Sequence, residues 1–248
     1  MIAAALLALC VAAVVAVGAA YALGDAQEAD PARSAAPPTL HEPPAPRPRA
    51  AGSARARSRP RSRPRPPAFP RVRYRDSRAI GAPHAGSLVN GTRLPARGRH
   101  FATWDPILRR SPNRLWRRYG TDDLVRLLIG VQRAYARREP GELPMLIGDL
   151  SRPQGGDFGI RYGIVGHSTH QNGLDADVYY PRKDRRPRVP RTVAQVDRRL
   201  AQRLVDLFVA AGAETVLVGP NLALSGPSGV VVPYPNHDNH LHARIRAR

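Results

Sequence analysis

Five of the eight histidines in this 248-residue chain lie in two short windows, residues 166–177 and 236–242. Imidazole and carboxylate are the usual protein ligands of a catalytic zinc, which takes three of them and keeps one position open for water or substrate. The first window contains a His-x6-Asp pair and the second a His-x-His pair. Together these pairs can supply three ligands, an open coordination position and a spare base.

Side-chain alternation predicts a short strand in each window. Successive side chains of a strand point to opposite faces, so Asp175, Asp177 and Tyr179 would share one face of the first strand. His240 and His242 would share one face of the second strand. If the two strands are neighbours in one sheet, their polar faces can enclose a metal, with the histidines of the preceding loop beside it.

Other kinds of site fit the windows less well. A structural zinc site prefers four protein ligands, usually cysteines, and the one cysteine, Cys10, lies in an N-terminal apolar run. A helix-borne zinc peptidase would carry His-Glu-x-x-His, and a serine hydrolase built on Ser168 would carry Gly-x-Ser-x-Gly; the sequence contains neither. A patch of surface or core histidines stays open, although the alternation in both windows argues against it.

Three stretches of the sequence resemble the penicillin-insensitive murein endopeptidases. This family belongs to the wider group of lysostaphin-type, D-Ala-D-Ala and Hedgehog-like metallopeptidases. The stretches are Gly-Ser-Leu-Val-Asn-Gly at 86–91 with Leu94-Pro95, then 147–151 with 166–177, and finally 237–244. The first metal motif, within 166–177, is the most specific of them.

The resemblance implies a role for each residue of the site. The zinc ligands would be His170, Asp177 and His242. The catalytic residues would be His240, the general base, together with His237 or His167, either of which would stabilise charge on the substrate carbonyl. Asp175 would hydrogen-bond to a ligand histidine, as groups behind metal ligands commonly do.

The function that follows from the resemblance is an exported, zinc-dependent murein endopeptidase. It would hydrolyse the D-Ala–meso-diaminopimelate cross-links of peptidoglycan in the periplasm or cell envelope, either anchored to the membrane or secreted. One alternative keeps the chemistry and changes the bond, giving a D-Ala-D-Ala carboxypeptidase or dipeptidase. Another, of a different class, is a non-catalytic Arg-rich protein that binds cell wall or nucleic acid.

The N-terminal region predicts export. Residues 2–23 form an uninterrupted apolar run, and about 20 apolar residues are enough to cross a bilayer as a helix. We therefore interpret residues 1–24 as a transmembrane anchor or a signal peptide, with the membrane as a partner if the segment is not cleaved. The run has no basic region before it, unlike a typical signal peptide, and the Arg-rich side would be cytoplasmic by the positive-inside rule.

Residues 25–77 are predicted to be a disordered Arg/Pro-rich linker. Residues 31–75 carry twelve arginines against a single glutamate, so like charges repel and little can be buried. Such a segment can dock on an anionic polymer such as peptidoglycan. Nucleic-acid binding is possible on charge alone, but the run lacks interleaved aromatic residues and a recognised fold, which argues against that partner.

Residues 78–248 are predicted to form the metallopeptidase domain, of the α+β class. Helices and strands are mixed without a regular βαβ order, which favours the α+β class over a doubly wound sheet. We expect a small antiparallel sheet that carries the zinc site and is flanked by helices. Hydrophobic periodicity and capping residues place the elements. The predicted helices cover 121–138 and 192–211, and the predicted further strands cover 143–150, 214–218 and 229–232.

Overall fold

A six-stranded mixed sheet organises the part of the chain that the computed structural model describes, residues 69–159 and 167–247. Its strand order is β4-β6-β7-β10-β8-β9, and two two-stranded sheets, β1-β2 and β3-β5, accompany it. The strands are β1 (Arg78–Ala82), β2 (Ala85–Val89), β3 (Thr92–Arg93), β4 (Phe101–Thr103), β5 (Tyr119–Gly120), β6 (Met145–Ile147), β7 (Asp175–Tyr179), β8 (Thr215–Val218), β9 (Val231–Pro233) and β10 (His240–Arg244). The helices are α1 (Asp122–Arg138) and α2 (Arg198–Ala210).

The two histidine windows meet at the centre of this sheet. β7 and β10 are antiparallel neighbours, and their register places His242 opposite Asp177 and His240 opposite Tyr179. The outer pairs of the sheet, β4 with β6 and β8 with β9, are parallel. The predicted α+β class with the site on antiparallel strands is therefore confirmed, within a larger mixed sheet.

Helix α1 has the predicted bounds and the predicted cap. The Thr121 side chain accepts a hydrogen bond from the amide of Leu124 at 3.2 Å, which satisfies one of the free amides of the first turn. The buried side chains of the helix follow helical spacing and include Leu124, Leu128, Val131 and Tyr135. Before β1, the backbone amides of residues 75 and 76 donate to the carboxylate of Asp122.

Helix α2 begins six residues later than predicted. Residues Val193–Gln195 form a separate 3-10 turn, and Val196 is extended. The helix starts after Asp197, whose carboxylate accepts from the amide of Leu200 at 3.0 Å. The prediction of one helix from 192 was wrong at its start because Asp197 is the better cap and the apolar spacing continues through the turn before it.

The hydrophobic core lies on one face of the sheet, and the candidate site lies on the other. Ala176 and Val178 of β7 and Leu241 and Ala243 of β10 are fully buried in the core cluster, together with the apolar sides of both helices. Every residue of β7 is buried, including those on the face of Asp177. The strand that carries the predicted carboxylates is thus fixed by packing on both sides.

All described residues fall in the compact unit 63–248. The predicted anchor or signal segment 1–24 and most of the predicted linker 25–77 lie outside the described residues. The boundary at residue 78 stays a prediction. Within residues 69–159 and 167–247, no helix has the length and apolar character needed to cross a membrane.

Candidate metal centre

Asp177 is the point at which the ligand-type side chains of both windows converge. Its Oδ1 lies 3.3 Å from Nε2 of His170 and 3.1 Å from Nδ1 of His242. These are the three ligands that the sequence predicts, and the fold brings them together. Among the described residues, His167, His170 and Asp177 form a group whose ligand atoms all lie within 4.8 Å of one another and could hold a metal; it contains His167 in place of the predicted ligand His242.

A tight turn brings His170 back beside Asp177. His170 adopts a left-handed backbone conformation with φ of 68°, and Gly173 follows with φ of 78°. A side chain at position 173 would collide with Leu88, since a Cβ atom there would lie 2.8 Å from its Cδ1. The amide of His170 donates to Asp175 Oδ2 at 3.3 Å, which helps to hold this uncommon conformation of a non-glycine residue.

The hydrogen bonds of His170 determine which of its ring nitrogens is free to bind a metal. Nδ1 donates to the carbonyl oxygen of Leu150 at 2.7 Å, so Nε2 carries the lone pair that faces Asp177. Within the described part of the chain, this Nε2 is buried and has no hydrogen-bond partner. An unsatisfied buried polar atom costs about 1–3 kcal/mol, and a zinc ion at this point would remove that cost.

Asp175 orients the ring of His242, as the carbonyl of Leu150 orients that of His170. Its Oδ1 lies 2.9 Å from Nε2 of His242 and 2.7 Å from Nε of Arg244. With Nε2 donating to Asp175, Nδ1 of His242 faces Asp177. Burial alone would lower the pKa of His242, but the hydrogen bonds to the two aspartates outweigh it and raise the pKa to about 9, so a metal ion that binds at Nδ1 would displace the proton there. The donor set, two imidazoles and a carboxylate with fixed orientations, fits zinc.

His240 and His237 line the outer side of the same cleft, which has a volume of about 510 Å³. The His240 Nδ1 lies 2.6 Å from Oδ1 of Asn239, and its Nε2 lies 3.8 Å from Asp177 Oδ1. Desolvation in the cleft lowers the pKa of His240 to about 4. His240 is therefore neutral at neutral pH and can accept a proton at Nε2.

His237 lies next to His240, with ring centroids 4.8 Å apart. Its Nδ1 bonds to the carbonyl oxygen of Pro235 at 2.7 Å. Desolvation lowers its pKa, so His237 is also neutral at neutral pH. A neutral ring that donates from Nδ1 presents its Nε2 lone pair, and donation to an oxyanion from Nε2 requires protonation.

His167 also lines the cleft, stacked on His170 with ring centroids 4.2 Å apart. Desolvation lowers its pKa to about 2. Its Nε2 lies 3.5 Å from Asp149 Oδ2. The guanidinium of Arg117 donates two hydrogen bonds to Asp149, from Nε to Oδ1 at 2.7 Å and from Nη2 to Oδ2 at 2.5 Å. Asn113 also donates to Asp149, at 2.8 Å.

Sequence reasoning missed this support behind His167. Asp149 falls within the stretch 147–151 that carries the family resemblance, and a carboxylate directly after a buried strand was the available signal. Arg117 and Asn113 gave none, because they reach Asp149 from 32 and 36 positions away. A fully buried arginine is exceptional unless it is paired.

Comparison with known proteins places the chain in a family. A model of the family described as penicillin-insensitive murein endopeptidase matches residues 79–215, a span that includes the first histidine window and ends before the second. A protein of that name from Haemophilus influenzae is 33% identical over 101 residues, which cover 40% of this chain and 30% of that protein. One from Escherichia coli O157:H7 is 31% identical over 129 residues, 52% of this chain and 40% of the relative.

The matched regions thus span well under half the length of these curated relatives. The family match nevertheless covers more than half of this chain, and the resembling segments include the turn and strand that position His170 and Asp177. The chain belongs to the penicillin-insensitive murein endopeptidase family.

Proposed function

We propose that this protein is a zinc-dependent peptidase that hydrolyses peptide cross-links in peptidoglycan. The observation that carries the proposal is the orientation of the ligand nitrogens. His170 and His242 each use one ring nitrogen for a fixed hydrogen bond and turn the other toward Asp177. Such orientation of the free lone pairs is typical of metal ligands.

His170, Asp177 and His242 would hold the ion. A zinc ion held there would supply Lewis-acid chemistry, lowering the pKa of a water to about 7 and polarising the substrate carbonyl. His240 would take the proton from the attacking water at Nε2 and return it to the leaving amine. Since Nδ1 of His240 donates to Asn239, Nε2 already carries the lone pair that this role requires.

The remaining task is stabilisation of negative charge on the substrate carbonyl oxygen. His237 and His167, which both line the cleft, are the proposed residues. Because Nδ1 of His237 donates to Pro235 and the ring is neutral at neutral pH, His237 would have to take up a proton at Nε2 before it could donate to this oxygen. The ring of His167 stacks on that of His170, with centroids 4.2 Å apart, so it lies beside the proposed metal ligands.

The bond proposed is that between D-alanine and meso-diaminopimelate, in line with the family to which the chain belongs. Peptidoglycan lies outside the cytoplasmic membrane, so the proposal includes an extracytoplasmic location. The net charge of +20 would favour association with an anionic wall polymer.

Digestion of cross-linked muropeptides by the purified chain is the test. With one equivalent of zinc, cross-linked dimers should become monomers, and His240→Ala should abolish the conversion while its zinc content stays at one equivalent. Equal activity of the variant would contradict the role of His240. Release of terminal D-alanine without loss of dimers would indicate a carboxypeptidase instead, and failure to bind zinc would indicate a non-catalytic wall-binding protein.

A further inference from the structure

A second pocket, of about 450 Å³, opens beside the metal cleft. The two cavities share Pro106, Tyr179 and Asn239 in their linings. Asn239 hydrogen-bonds to His240, and the ring of Tyr179 lies 5.8 Å from that of His240. The second pocket is therefore on the His240 side of the cleft.

Three exposed arginines line this second pocket: Arg109, Arg188 and Arg191. Among residues 69–159 and 167–247, none of their guanidinium groups forms an ion pair with a carboxylate, and the pocket lining contains no acidic residue. We name the cavity formed by these three residues the arginine pocket. The pocket therefore carries positive charge that no carboxylate in its lining neutralises.

Neighbouring arginines of the loop that carries Arg188 and Arg191 do form ion pairs with carboxylates, in contrast to the arginines of the pocket. Arg185 contacts Glu142 at 3.7 Å, and Arg186 contacts Asp184 at 3.7 Å. Among the arginines of residues 182–191, those without an ion pair are thus the two that line the arginine pocket, Arg188 and Arg191.

The loop that carries Arg188 and Arg191 is closed at its base by Arg182. The guanidinium of Arg182 binds Asp184 at 2.7 Å and 2.5 Å and Gln195 at 2.5 Å. The side-chain oxygen of Gln195 also accepts from the amide of Arg191 at 2.8 Å. These bonds fix the backbone that presents the two arginines.

Arg109 is presented by a turn that Asp105 closes. The amide of Asp105 donates to the carbonyl of Arg110 at 2.8 Å, and its Oδ1 accepts from the amides of Ile107 and Leu108 at 2.9 Å each. Arg109 follows in a left-handed conformation with φ of 51°. Both walls of the pocket are therefore ordered before a ligand arrives, which lowers the entropic cost of binding.

A guanidinium group is a planar fork of donors that matches the two oxygens of a carboxylate. In the proposed reaction His240 returns a proton to the leaving amine, so the leaving group lies on its side of the cleft. We infer that the arginine pocket binds the carboxylate borne by the carbon that carries the leaving amine. This inference rests on the proposed function, and it names the substrate feature that the site would select.

The test compares two cross-linked dimers that differ only in this group, one with the free carboxylate beside the scissile amide and one with its amide. The zinc-loaded full chain should show a KM about tenfold lower for the free acid, as expected when a charge-assisted hydrogen bond is lost in the amide, with kcat little changed. The double variant Arg188→Gln/Arg191→Gln should raise the KM of the free acid about tenfold and leave that of the amide unchanged. Arg109→Gln should act in the same direction.

The double variant Arg185→Gln/Arg186→Gln is the matched control, because it also removes two charges from the same loop, at positions outside the pocket lining. Equal KM values for the two dimers with the wild-type chain, or an equal effect of Arg185→Gln/Arg186→Gln, would overturn the inference. If neither dimer is cleaved, the proposed function fails. Calorimetric titration with uncross-linked muropeptide monomers then tests the arginine pocket independently of catalysis. Tighter binding of the free acid than of the amide, lost in the double variant Arg188→Gln/Arg191→Gln, would support the inference. Equal binding of acid and amide would overturn it.

Discussion

The inner and outer histidines of the cleft are held in different ways. The inner pair, His170 and His242, bond to partners 20 and 67 positions away in the sequence. The outer pair, His237 and His240, bond to partners only two and one positions away. Metal ligands need several groups fixed against one another, whereas a base near an open cleft can be oriented by its own turn. We expect the two pairs to respond differently to substitution.

The largest effect is expected from Asp177→Ala, which removes the group shared by the inner histidines. Zinc content should fall well below one equivalent and muropeptide cleavage should drop by at least about 10³-fold, because the charge stabilisation supplied by the metal is lost. Metal analysis and product chromatography on one sample measure both. As a control, Asp206→Ala removes an exposed carboxylate of α2 and should leave both values unchanged. If Asp177→Ala retained its zinc, the inner histidines would not differ from the outer ones in metal binding.

His240→Ala should separate the outer histidines from metal binding. The expected loss in kcat is about 10²–10⁴-fold, the usual contribution of a general base, with zinc retained at one equivalent. Loss of zinc in this variant would show that His240 belongs to the inner group. His84→Ala, at a histidine outside the cleft lining, serves as the control.

Asp175→Asn tests whether distant anchoring matters to the inner pair. The change keeps the shape of the side chain and removes the charge that binds His242 and Arg244. Zinc affinity should fall about 10–100-fold, as is typical when a group behind a metal ligand is altered. Competition titration against a chelator measures the Kd, and an unchanged Kd would mean that β7 and β10 packing alone orients His242.

The smallest effect is expected away from the cleft, at Glu139. The hydrogen bond from Arg199, with that from Arg203, lowers the pKa of Glu139 below its usual 4.5 and links the end of α1 to α2. Glu139→Gln should cost about 1 kcal/mol, since Arg199 is solvent-exposed and Arg203 only half-buried, or about 2–4 °C in Tm. Zinc content should not change.

The sign of the pH dependence follows from the lowered pKa. The stabilisation by Glu139 is present above about pH 4.5 and disappears as pH falls through the folded-state value. The Tm difference between wild type and Glu139→Gln should therefore be full at pH 7 and shrink below pH 4.5. A difference that persists at pH 3 would contradict the ionic origin of the effect.

Local patterns were sufficient for α1 and for the strands of both windows. The cap at Thr121 and the helical spacing after it fix α1, and alternation correctly placed Asp175 and Asp177 on one face. The same patterns failed at the start of α2, where the apolar spacing ran on through a 3-10 turn. They also gave no sign of the Arg117–Asp149 pair or of the arginine pocket, since each is assembled from separate segments.

The sequence by itself determined the types of the candidate ligand residues, the strand faces on which they lie and the family to which the chain belongs. Only the tertiary structure decided that His242 lies opposite Asp177, because strand register depends on packing between segments more than 60 positions apart. It also decided which nitrogen of each inner histidine is free, because the carbonyl of Leu150 and the carboxylate of Asp175 are brought there by the fold. The two histidine windows become one site through these long-range contacts.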